Sequence, residues 1–191
     1  MGSVVARSEA SVQGMDLPDE RTDPGLVATA DERTTVQGYL DYFRDTIEWK
    51  TAGMDDAQLR WPLAPSTMTL GGLLSHLAFV EDYWLTHVWL GEPPTEPWRS
   101  APWSEDSDWD WHRAAGIPGD ELRRQWRAAV ARSTEIAGSV DSLDALSAGT
   151  LRDGETRISL RWLLLHLIEE YGRHAGHADL LAEAADGRTG E

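Results

Sequence analysis

Four residues of types that can do chemistry share one stretch of the chain: His166, Glu170, His174 and His177, spaced four, four and three residues apart. On a helix advancing about 100° per residue, they project within an arc of roughly 80°. Imidazole and carboxylate are donors for divalent metals. Neighbours at i and i+4, or i and i+3, can grip one ion because a single turn separates them. Glu170 with His174 is one such pair and His174 with His177 is another. His166 and His174 lie about 12 Å apart along the axis, too far to share an ion. A pair on one helix needs a further donor from elsewhere. His76 offers one, in the run Leu73-Leu74-Ser75-His76-Leu77. An imidazole among core leucines needs a polar partner, and either a hydrogen bond or a metal supplies it. The residues alone leave the ligand set open, since a Glu–His pair also suits a solvated helix face. His87 and His112 read as surface or loop residues.

The elements that must position these residues follow from periodicity. After Asp31, the positions Val36, Leu40, Phe43, Ile47 and Lys50 fall on one helical face, and Gly53 ends it. Residues 54–68 form a connection, where Trp61-Pro62 and Pro65-Ser66 block a regular helix. Thr69 reads as the cap of a second helix, with Leu70, Leu73, Leu74, Leu77, Val80, Trp84 and Val88 on its apolar face and Gly91 as its stop. Glu81 faces either the site or a helix partner. Asp120 is expected to cap a third helix with Leu122, Trp126, Val130 and Ile136 in the core. Ser159 is expected to cap a fourth, with Trp162, Leu165, Ile168, Leu180 and Leu181 as its apolar stripe and Gly187 past its end. Arg161 and Arg173 read as solvated helix charges rather than as groups for a substrate carboxylate. No strand-period segment appears. The expectation is an all-α four-helix bundle with long crossover connections. It occupies residues 30–191, behind a polar, aperiodic tail over residues 1–29 that reads as flexible.

Residues 92–119 stand out, with Trp98, Trp103, Trp109 and Trp111 set among acidic residues, prolines and glycines. So long a loop is functional or mobile, and its tryptophans suit either a lid over a site or the anchors of a homodimer interface.

Composition narrows the function classes. The chain carries 33 acidic against 17 basic residues, a formal net charge of -16, which repels phosphate backbones and anionic lipid. Neither nucleic acid nor a membrane is expected as a partner. There is no cysteine, so disulfides, thiolate metal sites and a cysteine nucleophile are excluded. No apolar run approaches membrane-spanning length and no signal-peptide pattern opens the sequence, so a cytoplasmic location is expected.

The run Leu73-Leu74-Ser75-His76-Leu77-Ala78-Phe79-Val80-Glu81 resembles the metal-bearing second helix of the DinB-like superfamily. The run Ser159-Leu160-Arg161-Trp162, continuing through His166-Leu167-Ile168-Glu169-Glu170-Tyr171-Gly172-Arg173-His174-Ala175-Gly176-His177-Ala178-Asp179, resembles the fourth helix of its actinobacterial branch. Asp31-Glu32-Arg33-Thr34 is similar to that branch's opening. The resemblance implies a four-helix bundle with a three-residue metal site. Many members use three histidines, two of them spaced HxxxH. Here Glu170 takes the first of those places, the pattern of the mycothiol-dependent maleylpyruvate isomerase branch. Carried over, the ligands are His76, Glu170 and His174, with His177 and His166 beside the site or facing substrate. The implied metal is zinc, with nickel, iron or manganese as alternatives for the same donors. The implied activity is a metal-dependent S-transferase or isomerase that uses a small-molecule thiol, mycothiol, and an electrophile. Metal-dependent hydrolysis and non-catalytic binding of a small molecule or metal are the alternatives.

Overall fold

A computed structural model of the chain describes residues 23–189; of the expected tail, residues 1–22 lie outside the described residues. A short 3-10 turn at Pro24–Val27 leads into six α-helices: α1 (Glu32–Thr51), α2 (Asp56–Leu59), α3 (Leu70–Glu81), α4 (Trp109–His112), α5 (Gly119–Gly138) and α6 (Leu160–Asp186). No strand occurs among the described residues, and the chain is an all-α bundle. The four long helices are the four read from periodicity. α1 lies along α6, α3 lies along α5, and α3 also meets α6.

Local chemistry sets the helix starts. Asp31 accepts from the Thr34 amide at 2.9 Å, Thr69 from Gly72 at 3.0 Å and Ser159 from Trp162 at 3.2 Å, each satisfying a donor that the first turn leaves orphaned. The expected cap at Asp120 is displaced: α5 begins at Gly119 behind Pro118, and Asp120 sits in its first turn, bonded to Arg123. Proline can open a helix because its missing N–H would be orphaned there in any case. α3 does not run on as a regular helix to Gly91. It passes into a π-helical segment, Asp82–Trp89, whose wider turn ends with the Leu90 amide on the Leu85 carbonyl at 3.2 Å.

The expected apolar stripe of α6 is corrected. Trp162, Leu165 and Leu180 are exposed, and Ile168 packs at the edge of the core. The buried face is Leu160, Leu163, Leu164, Leu167, Tyr171, His174, Ala175, Ala178, Leu181 and Ala182. Steps of three and four through Leu163, Leu167, Tyr171, His174, Ala178 and Leu181 trace the buried face. This phase carries His174 into the bundle and leaves Glu170, His166 and His177 half-buried along its flank.

The tryptophan-rich segment packs down on α3. Trp98 is buried. Phe79 of α3 meets Trp98 and Trp103 at ring-centroid distances of 5.4 and 4.9 Å, and Trp109 closes the cluster at 6.0 Å from each. The Arg113 guanidinium lies over Trp98 and Trp109 at 4.8 and 5.3 Å. Close approach of α4 to α3 depends on Gly72, where a Cβ would stand 3.2 Å from Trp111 Cε3 and 3.1 Å from Thr69 Oγ1.

Candidate metal centre

His76 lies two turns into α3, and Glu170 and His174 lie one turn apart on α6. The α3–α6 contact brings one ligand atom from each within 4.8 Å of the others. His174 Nε2 and Glu170 Oε2 are 3.6 Å apart, and the His76 and His174 rings meet edge to face at 4.9 Å. Donors on a tetrahedral zinc, with bonds of about 2.0–2.2 Å, stand roughly 3.3–3.5 Å from one another. The donor set and its spacing therefore fit a divalent cation. Two imidazoles and a carboxylate from two elements leave coordination positions for water or substrate.

The surroundings favour the ligating protonation states. The His174 imidazole holds the Glu170 carboxyl below its ordinary value against the opposing effect of burial, and His166 and His76 add to the lowering. Burial pushes the His174 pKa down against the opposing pull of Glu170, and the neighbouring His76 and His177 rings add to the lowering. Near neutral pH the pair thus holds an ionised carboxylate and a neutral imidazole, the forms a metal requires.

The flanking residues divide by role. His177 Nδ1 stands 3.3 Å from His174 Nδ1, on the ring edge away from the Nε2 that meets Glu170. His166 is held by aromatic rings: it stacks on Trp162 at 5.1 Å and 15° and meets Trp84 at 4.4 Å, while standing 3.6 Å from Glu170 Oε1. With Glu169 and Glu170 it forms a second, more open grouping. Burial lowers the His166 pKa. His87 and His112 are exposed, bonded to the Glu92 carbonyl and the Asp106 carboxylate. Arg161 is tied to Glu32 and Asp144, and Arg173 to Glu169, so both serve helix surfaces. Glu81 belongs to a separate buried network. Arg44 donates to both its oxygens at 2.9 Å, Tyr171 donates to Oε1 at 2.8 Å, and Trp126 donates to the Tyr171 hydroxyl at 2.9 Å.

Two more residues stand at the centre: Asp110, which no motif in the sequence marks, and Trp111, one of the four loop tryptophans. The Asp110 carboxylate, buried, lies 2.6 Å from His76 Nδ1, and Trp111 stacks on the His76 ring at 4.3 Å and 18°. No spacing links α4 to α3. The available signal is that Asp110 stands between Trp109 and Trp111: where two indoles must pack, the carboxylate between them is drawn inward.

An all-α bundle with a two-histidine, one-carboxylate centre between two of its helices is the class that fold and site define. The family model of the mycothiol S-transferases matches residues 35–187. The chain belongs to that family, within the DinB-like superfamily. No curated protein matches it.

Proposed function

We propose that the protein is a metal-dependent thiol S-transferase that holds one divalent ion, zinc by preference, on His76, Glu170 and His174. The observation carrying this reading is the convergence of those three ligand atoms within 4.8 Å in a mycothiol S-transferase family member. A bound zinc would favour the thiolate form of a low-molecular-weight thiol, mycothiol in this family, at neutral pH. The chain's own residues orient and enclose. Glu170 and His174 hold the ligating protonation states, Trp111 covers one face of His76, and Trp84 with Trp162 brackets His166 at the flank. In the transfer, the sulfur lone pair forms a carbon–sulfur bond with the electrophile, the leaving group departs with its bonding electrons, and the thiol proton passes to solvent. The absence of cysteine means that the thiol comes from outside the chain. A reducing, cytoplasmic setting suits such a thiol, and the acidic surface suits neither nucleic acid nor anionic membrane.

The test is conjugation of mycothiol to an electrophilic fluorogenic alkylating agent by wild-type protein and His174→Ala, with metal content measured in parallel. Metal-dependent conjugation that disappears with His174 is expected. Zinc-loaded protein that conjugates no thiol overturns the assignment. Ester turnover without added thiol moves it to hydrolysis.

A further inference from the structure

We infer that Asp110 is a positioning residue of the metal centre, which fixes the His76 tautomer so that Nε2 presents its lone pair to the ion. The inference rests on the proposed metal site and extends it to the tryptophan-rich segment.

An ionised carboxylate only accepts hydrogen bonds, so the 2.6 Å contact between Asp110 Oδ2 and His76 Nδ1 places the proton on Nδ1. A neutral imidazole with Nδ1 protonated has its lone pair on Nε2. A carboxylate behind a ligating imidazole also raises the donor strength of the opposite nitrogen. Trp111, next in sequence, stacks on the same ring and limits its rotation. One helical turn therefore grips His76 by edge and by face.

That turn is itself anchored. Arg113 donates to Ser75 Oγ at 2.9 Å, one residue from His76, and to Gln125 Oε1 at 3.0 Å on α5. Its guanidinium also lies over Trp98 and Trp109. Gly72, one turn before His76, admits the Trp111 ring. The aromatic cluster thus sets where Asp110 stands, and Asp110 sets which nitrogen of His76 faces α6.

The test uses Asp110→Ala and Asp110→Asn in the full chain, the second keeping size and one acceptor should the first fail to fold. Nitrogen-15 imidazole spectra of metal-free wild type, recorded above the histidine titration range, should show His76 as the Nδ1–H tautomer, and Asp110→Ala should show a mixture. Zinc affinity from chelator competition should fall by about 10–100-fold in Asp110→Ala and by less in Asp110→Asn, with the helical circular dichroism kept. An Nε2–H tautomer in the wild type, or undiminished zinc affinity in folded Asp110→Ala, overturns the inference. Loss of zinc as complete as in His174→Ala also overturns it, by making Asp110 a ligand. A wild-type protein that binds no zinc overturns the proposed function as well.

Discussion

Glu81 and Glu170 are carboxylates on α3 and α6, and they keep opposite company. Glu81 is fully buried and closed by protein donors: the Arg44 guanidinium and the Tyr171 hydroxyl, itself held by Trp126. The network takes one residue from each of the four long helices and links them through hydrogen bonds. Burial opposes the Arg44 charge, yet Glu81 and Tyr171 hold the guanidinium pKa above its ordinary value. Burial and Glu81 push the Tyr171 hydroxyl well up, so it stays a donor. Glu170, the residue before Tyr171, is half-buried and faces His174, His166 and His76. There a carboxylate meets imidazole rings, a donor set of the kind that binds a cation. Adjacent residues of one helix thus serve a site completed by the protein and the proposed ion site.

The largest effect expected from this contrast is on metal content. Glu170→Gln should abolish stoichiometric zinc while moving the metal-free unfolding free energy by less than about 1 kcal/mol, since among the described residues no guanidinium or hydroxyl closes around Glu170 as they do around Glu81. Elemental analysis beside urea titration reads both. A large loss of metal-free stability would erase the distinction between the two carboxylates. Glu81→Ala should do the reverse, costing about 3–5 kcal/mol because Arg44 loses its buried counter-charge and keeps the more exposed Asp41 at 3.4 Å. Zinc stoichiometry should survive it at temperatures where the variant stays folded.

The two regions were unequally legible in the sequence. The helices showed themselves through caps at Asp31, Thr69 and Ser159 and through three-and-four spacing, which are local signals. The Glu170–His174 spacing is local too, and the resemblance singled it out from the neighbouring histidines. The Glu81 network was not legible, because Arg44, Glu81, Trp126 and Tyr171 come from four helices and have no fixed separation along the chain. Asp110 was hidden for the same reason. The α6 stripe was ambiguous because leucines lie on both faces of the helix, Leu163, Leu164 and Leu167 buried and Leu165 and Leu180 exposed, while part of the buried face is the small residues Ala175, Ala178 and Ala182.

Acid should sharpen the comparison, with a smaller effect on the fold. His174 and His166 resist protonation when folded, so the unfolded chain binds more protons just below the ordinary histidine value of 6.5. Stability falls as pH drops through that window. Glu170 acts in the same direction lower down: its contribution is present above the ordinary 4.5 and is lost as pH falls through its lowered folded value. Zinc release should accompany the first of these steps, because protons compete for the ligands. Glu170→Gln should remove the lower step and deepen the upper one, because the Glu170 charge no longer opposes the lowering of His174 and His166. Denaturation midpoints across pH, with and without zinc, check both.

The smallest effect is expected at His166, and it decides which grouping is the metal centre. His166, Glu169 and Glu170 also bring ligand atoms within 4.8 Å, so donor count alone does not separate them from His76, Glu170 and His174. Packing does. The His166 ring is held against Trp162 and Trp84, Glu169 is exposed and paired with Arg173, while His174 is buried and His76 is braced by Asp110 and Trp111. A site braced from behind holds its donors still, and a site on flexible surface groups loses affinity to their ordering. His166→Gln should therefore keep one zinc per chain with affinity within about tenfold of wild type, and cost about 0.5–1.5 kcal/mol of aromatic packing. Chelator competition and urea titration measure the two effects separately. Loss of zinc in this variant, with zinc retained in His76→Ala, would move the centre to the outer flank of α6 and detach it from α3.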